Sequence, residues 1–210
     1  FSSYGSFIHS IMERYAKGEL ELMNLVDVYE WEFDTQVPEE FPNTPFCPDM
    51  RQLYYNQGTE FLSNFEGYDG KKILEVESKF EYDIDDWVFN GIIDLVYEDE
   101  NGKLVILDYK SKSGFKSKAE QAKYARQLYL YAEFIKMKYG KYPDLMKFYM
   151  FRKNNIIDIP VNKDKIEEAT RWAKNIVSEI RNEKIFEPYC EEFYSENLCN
   201  HREYCDLRIY

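Results

Sequence analysis

The sequence predicts an α/β domain: a central mixed β-sheet flanked by α-helices. Three observations lead there. Apolar residues recur at helical spacing in several long segments. Short apolar or alternating runs lie between them, bounded by turn residues. The order is helices, strands, a helix, strands and a helix again. A chain of 210 residues fits one domain with a sizeable core.

The elements follow in order. FSSYGSFIHSIMERYAKG reads as a first helix, with Phe7, Ile8, Ile11, Met12 and Tyr15 on one face and Gly18 near its end. Residues 19–34 fit a second. QVPEEFPNTPFCPD holds four prolines and is a loop. DMRQLYYNQGTEFLSNF is helical, weakened by Gly58. ILEVESKFEYDI is a strand, and GIIDLVYEDENGKLVILDYKSK is a hairpin of two more. AEQAKYARQLYLYAEFIKMKYG is a helix that stops near Gly140. LMKFYMF and IIDIPV form two strands around a turn at RKNN. Asn162 or Asp164 caps a last helix through Ile180, with Ile166, Ala169, Trp172, Ala173, Ile176 and Ile180 on its apolar side.

Composition narrows the function classes. Hydrophobic residues at 44% and aromatics at 18% exclude a disordered chain. No apolar run approaches the roughly 20 residues of a membrane span, and the first residues carry no signal-peptide pattern. The chain starts at Phe1 without an initiator methionine, so a beginning further upstream is expected. A formal net charge of −12 argues against diffuse binding to nucleic acid. Local charge differs: from Lys110 to Arg126 six basic residues face one acid, Glu120. Lys112, Lys116, Lys118, Lys123 and Arg126 are therefore candidate phosphate contacts; a solvated loop running into a helix is the alternative.

The hairpin carries the chemistry. Asp94 and Asp108 interrupt apolar runs that a structural hairpin would bury, and Lys110 shares a strand face with Asp108, roughly 7 Å away along the backbone. A two-residue Asn101–Gly102 turn would send the two aspartates to opposite faces. A three-residue loop, 100–102, sets them directly opposite, with Gly102 in the left-handed position such loops favour. Facing carboxylates repel unless a cation lies between them. Magnesium suits a few carboxylates plus water and phosphate, and a neighbouring lysine stabilises charge on phosphate oxygens. By itself the D-x13-D-x-K pattern also fits a partly exposed hairpin whose acids sit in water.

Taken together, YGSFIHSIMERY, G91-I-I-D94, I106-L-D108-Y-K110 and Q127-L-Y-L-Y131 resemble the successive motifs of the PD-(D/E)XK nuclease superfamily, in its RecB-like branch. The resemblance implies a restriction-endonuclease-like core over 71–187, following a helical part over 1–70. It implies metal binding by His9, Asp94, Asp108 and the backbone carbonyl of Tyr109, to one or two Mg²⁺ or Mn²⁺ ions. Lys110 then assists catalysis, while Gln127 and Tyr131, four apart on one helical face, arrange the site. A lone helical histidine is otherwise a structural residue, and Glu77 reads as an exposed strand residue.

The tail, 188–210, holds Cys190, Cys199 and Cys205 at spacings x8 and x5. Some RecB-like nucleases carry a 4Fe-4S cluster on four cysteines, and the x5 gap matches theirs. The C-x2-C ahead of it is missing, because Glu196 stands there, and no cysteine precedes His9. Cys47 or an upstream residue would be the fourth ligand. Zinc on the three cysteines with His201, or three unligated thiols, are the other readings.

These features read as a Mg²⁺- or Mn²⁺-dependent deoxyribonuclease, an exonuclease on single-stranded or free DNA ends in recombination, repair or phage DNA processing. A helicase or recombination protein is an expected partner, and a bacterial cytoplasm the expected setting. The competing reading is a catalytically inactive nucleic-acid-binding subunit of a repair complex. Charge alone would give an acidic protein-interaction domain.

Overall fold

The computed structural model describes residues 2–42, 45, 47–185 and 199. It divides into two compact units, Phe1–Lys174 and Asn175–Tyr210; the first contains the whole sheet. Three helices come first: α1 (Ser2–Ala16), α2 (Leu25–Gln36) and α3 (Met50–Ser63). A short 3₁₀ turn, Leu22–Asn24, leads into α2. The Asp49 side chain caps α3 through the Gln52 N–H, and the helix runs through Gly58 unbroken, since an internal glycine costs only about 1 kcal/mol.

Strands β1 (Lys72–Ile84), β2 (Trp87–Glu98) and β3 (Leu104–Lys110) form an antiparallel meander. Helix α4 (Lys118–Tyr139) crosses over to β4 (Leu145–Met150), which runs parallel to β3, and β5 (Asn155–Ile159) returns antiparallel. The sheet order is β1-β2-β3-β4-β5. Ser117 caps α4 through the Glu120 N–H, and Gly140 closes it in the left-handed conformation. Asn162, not Asp164, caps α5 (Lys163–Asn182). This is the restriction-endonuclease-like α/β architecture, a mixed sheet with helices on both faces.

Two cores explain why β3 is buried along almost its whole length. Leu95, Tyr97, Val105, Leu107 and Tyr109 pack against α1, α2 and α3. Val96, Leu104, Ile106, Met146 and Phe148 pack against α4 and α5. Strand alternation thus gives Asp108 to the α4 side and the Tyr109 ring to the α1 side.

Two elements differ from expectation. Strand β2 begins at Trp87, because a two-residue turn at 85–86 pairs Ile84 with Trp87. On α5 the buried stripe is Ile166, Ala169 and Ala173, whereas Trp172 is 38% exposed. One position short of Ala173, it turns about 100° away from that stripe. No described helix is long and apolar enough to cross a membrane.

A close approach at Gly91 ties the sheet to α4. A Cβ there would meet the Phe80 ring at 2.6 Å and Tyr131 at 3.2 Å. Phe80 is itself stacked on Phe134 at 4.5 Å, so it has little room to yield. Gly91→Ala should destabilise the protein by about 1–3 kcal/mol through overpacking, read from the midpoint of urea unfolding. A midpoint equal to that of the parent would mean that the rings move aside freely.

Candidate metal centre

Register decides which side chains meet. Leu95 pairs with Leu107 and Glu98 with Leu104, leaving a three-residue loop over 100–102 with Gly102 at φ +72°. The Asp99 carboxylate accepts from the Asn101 and Lys103 N–H groups, both at 2.9 Å, and fixes that loop. Continuing the register one pair further sets Asp94 opposite Asp108. The loop needs a residue that tolerates positive φ, and glycine supplies it.

At this end of the hairpin the Tyr109 backbone holds two functional groups. Its N–H donates to Asp94 Oδ2 at 2.6 Å, and its carbonyl accepts from His9 Nε2 at 3.1 Å. A carbonyl can only accept, so Nε2 carries a hydrogen and Nδ1 is aimed at the carboxylates. Nδ1 lies 3.5 Å from Asp94 Oδ2 and 3.7 Å from Glu77 Oε1. His9, Glu77 and Asp94 bring their donor atoms within 4.8 Å of one another, as a divalent ion requires.

Glu77 is the residue that sequence reasoning passed over. It falls between the pairs Val76–Leu95 and Ser78–Ile93, directly across from Asp94, with φ at +46°. A non-glycine residue in that region inside a strand is strained, and such strain collects at functional sites. An extra residue between Ile73 and Glu75 shifts the register just upstream. No alternation pattern encodes this; the one signal was a glutamate in an otherwise β-forming run.

Asp108 is placed differently from the expected shared arrangement. Its carboxylate is 2% exposed and lies outside the His9–Glu77–Asp94 group, with Lys110 Nζ 2.6 Å from Oδ2. That contact is an ion pair without the direction of a good hydrogen bond, so Oδ2 keeps unused acceptor capacity. Lys110 donates to Gln127 Oε1 at 2.8 Å, and Gln127 Nε2 donates to the Tyr131 hydroxyl at 2.5 Å. The Phe148 ring lies 5.6 Å from the same ammonium. Lys110 is therefore held from three sides.

Electrostatics follow from crowding. Burial, and then the Asp108 charge, push Asp94 up to about 7. Burial raises Asp108 too, against the pull of Lys110. For His9 burial acts downward, but contact with Glu77 and the charges of Asp94 and Asp108 outweigh it, and the net shift is upward. Protons are thus drawn to where a cation would sit. The donor set, one imidazole nitrogen with hard carboxylate oxygens, fits Mg²⁺ or Mn²⁺. The centre opens into a cleft of about 510 Å³ bordered by Ser6, Ser10, Glu13, Glu77, Lys110 and Ser111.

The family model described as the PD-(D/E)XK nuclease superfamily matches residues 1–209. The chain belongs to the PD-(D/E)XK nuclease superfamily. Members use divalent metal ions, and His9, Glu77 and Asp94 form a group that could hold one. A search of curated proteins found no match.

The remaining candidates divide. Lys116, Lys118 and Lys123 are exposed around the start of α4. Lys112 is engaged by Glu120 Oε1 at 2.8 Å and the Tyr124 ring at 4.8 Å, and Arg126 lies over Trp172 at 4.9 Å. Cys190 and Cys205 lie outside the described residues, as does His201; Cys47 and Cys199 are half-buried thiols.

The raised Asp94 pKa has a signed consequence for the metal-free protein. Below about pH 4 folded and unfolded chains both hold the proton, and stability is complete. As pH rises from about 4 to 7, only the unfolded state releases it, so stability falls by at most about 4 kcal/mol. Asp94→Asn keeps an acceptor for the Tyr109 N–H and should flatten this slope in urea unfolding at pH 5 and pH 8. An unchanged slope would locate the pH dependence elsewhere.

Proposed function

We propose that this nuclease is a Mg²⁺- or Mn²⁺-dependent deoxyribonuclease of the RecB-like branch. We read it as an exonuclease acting on single-stranded or free DNA ends in recombination, repair or phage DNA processing. The observation that carries the reading is the convergence of His9, Glu77 and Asp94 at the mouth of a cleft, with Asp108 and Lys110 beside them. A helicase or recombination protein is its proposed companion, and a bacterial cytoplasm its proposed setting.

His9 through Nδ1, Glu77 and Asp94 would hold the metal, with Asp108 as the neighbouring ligand, while the Tyr109 carbonyl orients the imidazole by accepting its Nε2–H. When bound, a divalent ion acidifies water and offsets charge on phosphate oxygens. The chain's own residues do the rest. Lys110, fixed by Gln127, presents a positive charge toward the phosphate oxygens that gather negative charge as phosphorus becomes pentacoordinate. Water oxygen forms the new P–O bond and gives up a proton to solvent, the bond to the leaving oxygen breaks, and that oxygen takes up a proton from solvent, so one water is consumed. Gln127 is positioned in turn by Tyr131, so the α4 face sets the lysine's direction.

The second reading, a non-catalytic DNA-binding subunit, has one observation on its side: Asp108 is clamped by Lys110 and set apart from the other ligands. Intact folding without Mn²⁺ binding would favour that module. The deciding experiment incubates purified protein with end-labelled single-stranded and duplex DNA and Mn²⁺. Asp108→Ala, Lys110→Ala and Glu77→Ala should each lower cleavage by at least about a hundredfold while retaining the fold. Near-parent rates in the first two would remove the pair from the mechanism.

DNA grip is tested separately. Neutralising Lys116, Lys118 and Lys123 together should weaken binding and lower the slope of log affinity against log salt by up to about 3, through lost counterion release. A slope equal to the parent's would return the run to a solvated loop.

A further inference from the structure

Helix α4 grips β1 on both sides of Glu77. Downstream, Phe134 stacks on Phe80 at 4.5 Å. Upstream, the Glu75 carboxylate gathers three side chains, and its own side chain is only 11% exposed. The Tyr139 hydroxyl donates to Oε1 at 2.6 Å, the Lys138 ammonium pairs with the same oxygen, and the Ser78 hydroxyl donates to Oε2. Tyr139 and Lys138 come from the last turn of α4, whereas Ser78 belongs to β1 itself.

The Ser78 contact is foreign to a regular strand, where side chains three apart point to opposite faces of the sheet. Glu75 and Ser78 meet because Glu77 lies between them at φ +46° and interrupts the alternation. The neighbouring strand shares the break. Val96, the partner of Glu75, and Ile93, the partner of Ser78, are also three apart, and both pack in the core on the α4 side. Leu95, between them, packs in the other core. A non-glycine residue holds a left-handed conformation only when its surroundings over-determine the backbone.

We propose that Glu75 is a positioning residue of the metal centre. By binding Ser78 across the kink, and Tyr139 and Lys138 from α4, it holds the left-handed backbone that turns the Glu77 carboxylate toward His9 and Asp94. Its own charge is matched by Lys138, so it acts on a cation through geometry. One helix then orients two functional groups, Lys110 through Gln127 and Glu77 through Glu75. This role rests on the reading of His9, Glu77 and Asp94 as metal ligands.

The test uses the full chain without DNA, first free of metal. Glycine and alanine are compared at position 77, since both lack the carboxylate and differ in their tolerance of positive φ. Glu77→Gly should unfold at a higher urea midpoint than Glu77→Ala. Adding Glu75→Ala to each should abolish that advantage, because the strand is then free to become extended. An undiminished advantage overturns the clasp. In the second part, Mn²⁺ affinity is read from the electron paramagnetic resonance of the free ion. Glu75→Ala and Ser78→Ala should each weaken it roughly 10–100-fold, as loss of a partner behind a metal ligand does. Ser78→Ala, the smaller change to the same contact, decides the matter if Glu75→Ala fails to fold. Glu75→Gln keeps an oxygen for Tyr139 and an amide for Ser78, and should bind Mn²⁺ nearly as the parent does. Parental affinity in Ser78→Ala overturns the positioning role. Glu75→Gln as weak as Glu75→Ala also overturns it and assigns the effect to charge. A parent that binds no Mn²⁺ overturns the metal reading, and the glycine–alanine comparison then decides the clasp by itself.

Discussion

The centre of this protein depends on holding Asp94 and Asp108 where little water reaches them, with Glu77 close by at the border of the cleft. Like charges in such a place oppose folding unless something answers them. Each carboxylate has its own answer. Asp108 has the Lys110 ammonium, Asp94 has the Tyr109 N–H and a proton affinity raised by burial, and Glu77 has the edge of the His9 ring. The surrounding architecture supplies those answers from separate elements: α1 brings the imidazole, β3 the amide and the lysine, and α4 the glutamine that steers the lysine.

The division of the sheet into two covered faces makes this possible. Because strand alternation sends Asp108 toward α4 and the Tyr109 ring toward the N-terminal helices, consecutive residues serve different layers. The Tyr109 peptide groups remain in the plane between them and reach both Asp94 and His9. Membership in the PD-(D/E)XK nuclease superfamily rests on residues 1–209 taken together. The layered packing accounts for why the site residues point where they do.

Much of this was legible in the sequence. The turn residues allowed two registers, and the one with facing aspartates was expected because two carboxylates interrupting apolar runs call for a shared cation; the observed pairing is that register. The α4 helix and its Gln127–Tyr131 face followed from helical spacing. Glu77 was not legible, because its position depends on an irregular strand and a positive φ that residue identity does not encode. The rotation of Trp172 off the buried stripe was hidden for another reason: Arg126, remote in sequence, provides its contact. Lys112 looked like a free cation until tertiary structure set it against Glu120 and Tyr124.

The His9–Tyr109 hydrogen bond spans 100 residues of chain. A ribosome adding roughly 5–20 residues per second needs about 5–20 s to travel that distance. For the first part of that interval the emerging polypeptide is a group of helices whose imidazole has no partner; Glu77 and Asp94 follow with β1 and β2, and the Tyr109 carbonyl comes last. Contacts so distant in sequence form late. The His9–Tyr109 contact is therefore absent from every chain that stops short of β3, and the imidazole of such a chain has no carbonyl to fix its direction.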